Sequence, residues 1–201
     1  MTTSLVSAVE DGVLVLTLDR DDGLPRIDRR MLAEIEAELS RLAHERRLKG
    51  CVITGTERAF AVGANIGEIS ELTPAEAQEF SLEGQRTCLV IERSTVPVVA
   101  AIRGYCVGGG LDLALACQAR IASHDALFSH PGGSLGILTG WGGTQRLARL
   151  IGRARALEML TTGRRLSSAE ASSWGLVDAL VEGRDLMPLA RAGVERRTLR
   201  S

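Results

Sequence analysis

Apolar and polar residues alternate at the start of the chain and then take up a helical spacing. Residues 6–9 and 13–18 flank an Asp-Gly pair, a pattern that predicts a β-hairpin. Asp28 precedes apolar residues spaced three or four apart, which predicts a capped helix ended by Gly50, and residues 51–54 follow as a buried strand. Because strand, helix and strand come in this order, we expect the two strands to be parallel.

Similar strand–helix units follow along the chain. A capping box at residues 73–76 predicts a helix to about Ile91, and residues 96–102 predict a second buried strand before a helix at 111–117. A third unit places strands at 120–123 and 128–130 before a helix from Thr144. The remaining signals are helix ends at Gly152 and Gly163, a capping box at 167–170 and a strand at 176–181. The order predicts one α/β domain of repeated ββα units.

Composition narrows the classes of function. The 201 residues suit a single domain, and a formal net charge of -1 gives no global attraction to nucleic acid or to an anionic membrane. The N-terminus lacks a secretory signal and no apolar run approaches the roughly 20 residues of a membrane span, so we expect a cytoplasmic protein. The cysteines have no metal-binding spacing and are expected to be buried free thiols, and no metal is predicted.

Two glycine-bearing loops are the candidate chemical features. Gly63-Ala64 follows an apolar segment, and Gly108-Gly109-Gly110 directly precedes a helix. Loops stripped of side chains let backbone N–H groups approach a ligand, and a helix N-terminus adds unpaired donors and partial positive charge. The spacings of nucleotide-binding glycine motifs are absent. Taken alone, the loops predict an anion-binding site or only a tight turn against a helix.

Several segments resemble the enoyl-CoA hydratase/isomerase (crotonase) superfamily. Residues 59–66 (AFAVGANI) are similar to its AFAxGADI segment, and residues 96–114 (VPVVAAIRGYCVGGGLDLA) to its P-V-I-A-A-V-x-G-x-x-x-G-G-G-x-E-L-A segment. Residues 142–147 match its GGTQRL, and residues 169–177 resemble its A-x-x-x-G-L-V ending. The resemblance covers roughly residues 13–181 in order. It implies a crotonase-like (ClpP/crotonase) α/β fold, with an acyl-CoA-binding domain at 1–181 and a short C-terminal remnant at 182–201.

The resemblance also implies a function in acyl-CoA and fatty acid metabolism. In the family, two backbone N–H groups hold the thioester carbonyl and stabilise its enolate, and by position these fall on Ala64 and Gly109. Coenzyme A then arrives as part of the substrate, and no separate cofactor is expected. The residues expected to bind substrate are Val62, Gly63, Ala64, Gly108, Gly109, Gly132 and Trp141.

The sequence departs from the family at both of its hydratase glutamates. The first position is Asp112 and the second is Gly132, so one carboxylate is shortened and the other is absent. A shift of about 1 Å can cost roughly a hundredfold in rate, and a lost acid or base roughly 10² to 10⁴. We therefore expect crotonyl-CoA hydration to be far slower than in a two-glutamate member. Full turnover would require another residue, for which His130 is a candidate.

Neighbouring residues have both structural and functional interpretations. Asp112 is either a lone acid/base or a favourable charge in the first turn of its helix. Thr139 and Trp141 belong to a loop that, in the family, floors the acyl pocket, although Trp141 also suits ordinary core packing. Gln145 and Arg146 open a packed helix and are expected to be structural.

Three classes of function stay open on the sequence. The leading prediction is an enoyl-CoA hydratase-like lyase or isomerase, with decarboxylases and hydrolases as related alternatives. A non-catalytic acyl-CoA binder is favoured by Gly132 and by the short C-terminus. An RNA-binding role is poorly supported, because the helix at residues 75–92 is acidic and lacks lysine. Family members assemble as trimers, often stacked as hexamers, and we expect this assembly to be weakened if the helical tail is absent.

Overall fold

The computed structural model describes residues 3–198. The strands in this range are β1 (Thr3–Glu10), β2 (Val13–Arg20), β3 (Gly50–Thr54), β4 (Ala59–Ala61), β5 (Val98–Ile102), β6 (Tyr105–Val107), β7 (Ala119–Ser123), β8 (Leu127–Ser129), β9 (Leu166–Ser167) and β10 (Ala179–Val181). The helices are α1 (Arg29–His44), α2 (Ile66–Glu71), α3 (Pro74–Glu92), α4 (Gly109–Ala116), α5 (Gly143–Ile151), α6 (Arg153–Thr162), α7 (Ser168–Ser173) and α8 (Leu186–Thr198). Two short 3-10 helices lie at Pro131–Leu135 and Gly183–Asp185.

The strands form two sheets. One has six strands in the order β1-β2-β3-β5-β7-β10, and the other has four in the order β4-β6-β8-β9. The predicted hairpin is confirmed, because β1 and β2 pair antiparallel about Asp11 (φ 53°) and Gly12 (φ 80°). The predicted parallel pairing of β2 with β3 is also confirmed.

Repeated ββα units generate the two sheets. In β3–β4, β5–β6 and β7–β8, the first strand of each pair joins the six-stranded sheet and the second joins the four-stranded sheet. A helix follows the second strand of the first two units directly, and a 3-10 helix and loop lead to α5 in the third. The predicted α/β fold of repeated ββα units is therefore confirmed. The sequence analysis did not predict the strands β4 and β6, each of which has three residues.

Helix α1 has the predicted start but a different end. The Asp28 carboxylate accepts a hydrogen bond from the Met31 N–H at 2.8 Å, as an N-cap residue should. The helix ends at His44, and Gly50 is the first residue of β3, so the prediction that Gly50 ends the helix is wrong. A Cβ atom at position 50 would lie only 2.4 Å from the Pro97 carbonyl oxygen. Glycine is thus explained by close strand packing there.

Other element boundaries shift by a few residues. The capping boxes at Thr73/Glu76 and Ser167/Glu170 form as predicted, and Gly152 and Gly163 cap the ends of α5 and α6. The predicted strand at 96–102 begins at Val98, and the one at 176–181 shortens to β10. Residues around both strands form loop hydrogen bonds instead, such as that from the Leu176 N–H to the Ala171 carbonyl.

The segment after Val181 contains a helix that the sequence analysis did not predict. Leu186, Ala190 and Val194 of α8 recur every four residues and are buried against the six-stranded sheet. They meet the outward-facing residues of four strands, namely Val13, Val52, Val99, Ala101, Ala119 and Ile121. The spacing is an ordinary amphipathic signal, which the basic residues of this segment obscured. The segment covers one face of the sheet.

The larger core lies on the other face of that sheet. Apolar side chains of α1, α3 and α4 pack there against both sheets. Cys51, Cys88, Cys106 and Cys117 are buried free thiols in this core, as predicted. Among residues 3–198, no helix combines the length and hydrophobicity needed to cross a membrane.

Candidate active site

The two glycine loops lie in direct contact. Gly63 has φ +89°, and a Cβ atom there would lie 3.2 Å from both the Gly109 nitrogen and the Val107 carbonyl oxygen. Only a glycine accepts both the left-handed backbone and this close approach. The first loop follows β4 and the second precedes α4, so the four-stranded sheet positions both.

Hydrogen bonds hold both loops in place, and each loop also carries an N–H group without an acceptor among the described residues. The Val62 N–H donates to the Pro25 carbonyl at 2.9 Å, and the Gly108 N–H donates to the Ser129 carbonyl at 3.0 Å. The N–H groups of Ala64 and Gly109 have no acceptor among the residues that the structure describes. Gly109 is the first residue of α4, where the N–H groups of a helix have no intrahelical partner. Two donors are thus available on adjoining loops.

A cavity of about 260 Å³ opens beside these loops. Its walls combine the loops with the N-terminal half of α3 and the segment that follows β8. Every residue that the sequence predicts to be catalytic or to bind substrate lines it, namely Val62, Gly63, Ala64, Gly108, Gly109, Asp112, Gly132 and Trp141. The structure therefore brings the predicted residues together, and their individual roles stay predictions.

Trp141 belongs both to the cavity wall and to the core. Its side chain is 4% exposed and meets Phe80 of α3 edge-on, with ring centroids 5.4 Å apart. A Cβ atom at Gly84 of α3 or at Gly109 would overlap the indole ring. Trp141 therefore packs between α3 and the second glycine loop, and its role as a wall of an acyl site stays a prediction.

Arg146 fixes the backbone next to that tryptophan. Its guanidinium donates to the Trp141 carbonyl at 2.9 Å and to Glu92 at the end of α3 at 2.7 Å. The structural role predicted for Arg146 agrees with these contacts. Gln85 adds a second tether, because its amide donates to the Gly140 carbonyl at 2.8 Å.

Asp112 is a buried carboxyl group at the cavity. Its Oδ2 accepts a hydrogen bond from the Thr139 hydroxyl. Burial raises the pKa of Asp112 to about 7, against the opposing effects of the Thr139 hydrogen bond and the positive charge of Arg146. A Cβ atom at Gly143 would overlap the carboxylate, which explains the glycine at that position. Burial therefore keeps Asp112 protonated to a higher pH than an exposed aspartate.

His130 faces the same carboxyl group. Its Nε2 lies 3.4 Å from Asp112 Oδ1, and the two side chains are 4% and 2% exposed. Neither atom has a hydrogen-bond partner among the described residues. Burial lowers the pKa of His130 to about 4. A buried polar atom without a partner typically costs about 1–3 kcal/mol, so both groups are costly where they lie.

Gly132 supplies no carboxylate and has no room for one. It lies in the 3-10 helix after His130 and lines the cavity. A Cβ atom there would lie 2.6 Å from the Ile137 carbonyl oxygen, and the Ile137 N–H donates to the Gly132 carbonyl at 2.9 Å. The Ile137 backbone therefore occupies the space that a side chain at position 132 would need.

The sequence did not reveal that His130 and Thr139 both face Asp112. They lie 18 and 27 positions away along the chain, on segments whose folding is irregular. Within residues 3–198, no three His, Cys, Asp or Glu side chains are grouped so that they could hold a metal ion. A reaction independent of metal stays a prediction.

Comparison with known proteins agrees with this fold. The arrangement of its ββα units is that of an α/β protein of the crotonase type. The sequence profile of the enoyl-CoA hydratase/isomerase family matches residues 8–198, and the chain belongs to that family. The match includes α8, beyond the limit of residue 181 drawn from the motifs.

Individual relatives share most of their length with this chain. It is 38% identical over 178 residues to a probable enoyl-CoA hydratase of Mycobacterium bovis, covering 89% of this chain and 68% of the relative. It is 34% identical over 183 residues to the short-chain-enoyl-CoA hydratase of Clostridium acetobutylicum, covering 90% and 70%. The crystal structure of an enoyl-CoA hydratase from Bacillus anthracis superposes with a TM-score of 0.89 at 33% identity, covering 98% and 76%.

Proposed function

We propose that the protein binds an acyl-CoA thioester and stabilises its enolate with the N–H groups of Ala64 and Gly109. The observation that carries the proposal is the pair of donors without acceptors on two touching loops at the cavity. A thioester carbonyl placed between them would gain negative charge on oxygen as the enolate forms. Donors already fixed in place stabilise such charge without reorganising.

The helix that carries the second donor strengthens this environment. Gly109 begins α4, whose N-terminus carries partial positive charge. Where a bound substrate excludes water from the site, electrostatic interactions are stronger than in bulk solvent. These interactions therefore stabilise an oxyanion at this position more than they stabilise the neutral carbonyl.

The choice of a thioester rests on family membership and on the cavity lining. The named relatives are enoyl-CoA hydratases. Apolar side chains such as Ile69, Leu72 and Leu138 line the cavity and suit an acyl chain. Coenzyme A enters as part of the substrate rather than as a cofactor. Location in the cytoplasm and assembly as a homotrimer or hexamer, as in the family, are parts of the same proposal.

The reaction that follows enolate formation is open to direct measurement. The purified protein is incubated with saturated, 2-enoyl, 3-enoyl and malonyl-type CoA thioesters, and the products are identified by mass spectrometry. Hydration, isomerisation, decarboxylation and hydrolysis each give a distinct mass or fragmentation pattern. Binding without any conversion would identify a non-catalytic acyl-CoA binder, the alternative favoured by the missing second carboxylate.

A single substitution tests the proposed oxyanion site. Ala64→Pro deletes one donor, and Ala64→Ser is the matched control because it keeps the N–H group. We expect Ala64→Pro to lose about 10² to 10³ in turnover of the substrate found in the panel. The Ser variant should keep nearly all of it. If Ala64→Pro folds and retains both turnover and acyl-CoA affinity, the thioester does not lie between these loops.

A further inference from the structure

Two buried titratable atoms at the cavity are explained neither by the oxyanion site nor by the packing. Asp112 Oδ1 and His130 Nε2 lie 3.4 Å apart, and neither has a hydrogen-bond partner among residues 3–198. Asp112 extends from the first turn of α4, and His130 follows β8. Both residues line the cavity that holds the proposed oxyanion donors.

The surroundings leave this pair as the proton-carrying unit of the site. Cys88 of α3 and Cys106 of β6 lie near Asp112, and burial raises the pKa of both thiols, which therefore stay neutral. The positive charge of Arg146 of α5 acts on Asp112, but its guanidinium donates a hydrogen bond to Glu92 at 2.7 Å. The Thr139 hydroxyl donates a hydrogen bond to Oδ2 of Asp112, so only Oδ1 of that carboxyl group faces His130.

We propose that Asp112 and His130 share one proton and act together as the acid and base of this active site, with His130 in the role of the carboxylate that Gly132 lacks. The proposal rests on the proposed thioester site, because the N–H groups of Ala64 and Gly109 hold the enolate oxygen while the pair acts. It names reversible addition of water to a 2-enoyl thioester as the reaction.

The proton balance suits that reaction. His130 Nε2 takes a proton from water as the water oxygen forms a bond to Cβ of the enoyl group. The π electrons move through Cα to the thioester oxygen, and the enolate then takes the proton of Asp112 at Cα. The pair holds one proton before and after these steps. The proton is on Asp112 at the start and on the His130 imidazole at the end. The proton returns to Asp112 across the 3.4 Å contact, and no other acid or base is required.

Burial of the two side chains explains which of them carries the shared proton at the start of the reaction. Burial raises the pKa of Asp112 to about 7 and lowers that of His130 to about 4, so between these values the carboxyl group is protonated and the imidazole is neutral. The two groups titrate as a unit, with one proton gained at the acidic end of this window and one lost at the alkaline end. Only the one-proton form has both an acid and a base.

The test compares three variants with a matched control. His130→Gln, Asp112→Asn and the double variant are assayed for kcat with crotonyl-CoA, and butyryl-CoA affinity is measured by calorimetry. His124→Gln makes the same change at a histidine whose side chain is 58% exposed and does not line the cavity. We expect each single variant to lose about 10² or more in kcat. Butyryl-CoA affinity and the His124→Gln variant should be unchanged.

The double variant separates a pair from two independent groups. If the residues act as a unit, the double variant is no slower than the slower single variant. A double loss equal to the product of the single losses would overturn the proposal, as would full kcat in His130→Gln. If the unmodified protein binds butyryl-CoA but adds no water to crotonyl-CoA, the pair proposal fails and the thioester site stands. If it binds no acyl-CoA, both fail.

The pH profile of the unmodified protein gives a test that does not depend on the folding of any variant. Because the one-proton form is the active one, kcat/KM for crotonyl-CoA should follow a bell, falling below a pH of about 4 and above about 7. A rate that rises through pH 7 to a plateau would identify a lone base and would overturn the shared-proton mechanism.

Discussion

The two walls of the cavity are built by opposite means. The glycine loops present only backbone, and Gly63 and Gly109 are fixed by contacts that a single Cβ atom would break. A second wall presents Asp112 and His130, whose side-chain atoms face each other without other partners among the described residues. Close backbone packing determines the first wall. The second wall contains buried polar atoms that form no hydrogen bond with the described residues. We therefore expect substitutions in the first wall to affect folding and substitutions in the second to affect proton transfer.

The largest effect is expected from Trp141→Ala, which removes the ring that packs against Gly109. Truncation of a buried tryptophan costs about 3–5 kcal/mol of unfolding free energy. Urea unfolding measures this loss, with Trp174→Ala as a control at a less buried tryptophan. Gly109→Ala should be strongly destabilising in the native background, because its Cβ overlaps the ring, and much milder with Trp141→Ala. Equal costs in both backgrounds would show that the ring does not restrict Gly109.

A carboxylate reintroduced at position 132 tests whether the second wall can be restored to two acidic groups. Gly132→Glu should cost about 1–3 kcal/mol of stability, because its Cβ would lie 2.6 Å from the Ile137 carbonyl oxygen. We expect no gain in crotonyl-CoA hydration. Gly136→Glu, at a nearby glycine where a Cβ atom meets nothing within 4 Å, is a steric control that keeps the added charge, although its φ of +73° adds backbone strain. Faster hydration by Gly132→Glu would show that the loop opens to admit the side chain.

The pH dependence of stability should distinguish the two buried side chains. The folded state holds a proton on Asp112 between its ordinary pKa of 3.8 and its raised pKa of about 7, so this group lowers stability as pH rises through that window. The folded state releases a proton from His130 between about 4 and the ordinary 6.5, so this group raises stability with pH there. In the native protein the two slopes offset each other.

His130→Gln should remove one of these slopes. The unfolding free energy of the variant, relative to the native protein, should then fall between about pH 4 and 6.5 by up to about 1.4 kcal/mol per pH unit. Denaturant unfolding at several pH values measures the difference, and His124→Gln is the control. A difference that does not change with pH would mean that His130 titrates alike in the folded and unfolded states.

The smallest effect is expected from Thr139→Val, which removes the hydroxyl donor to Asp112 and keeps the side-chain shape. The hydrogen bond lowers the pKa of Asp112, so its loss should raise that pKa further. A hydrogen bond of about 1.4 kcal/mol corresponds to about one pKa unit. The alkaline limb of the pH profile should move to higher pH by about that amount, with little change in the acidic limb. A shift to lower pH would contradict the hydrogen-bond assignment.

Local sequence signals determined the fold class and one wall of the cavity. The capping residues Asp28, Thr73 and Ser167 form as predicted, because a side chain and an N–H group three residues apart need no distant partner. Gly63 and Gly109 stand out because a close backbone approach leaves a gap in side chains along the sequence itself. The spacing of Leu186, Ala190 and Val194 carried the same kind of local signal for α8.

The tertiary structure decided what the other wall contains. From the sequence, Asp112 was a shortened acid and Gly132 a missing one, and only the fold brings His130 Nε2 to 3.4 Å from the carboxyl group. It also decided that Gly132 is closed in by Ile137 and that Thr139 occupies the second carboxyl oxygen. These contacts join segments that are far apart along the chain, and no periodicity encodes such distances. Burial, which sets both pKa values, is likewise a property of the assembled core.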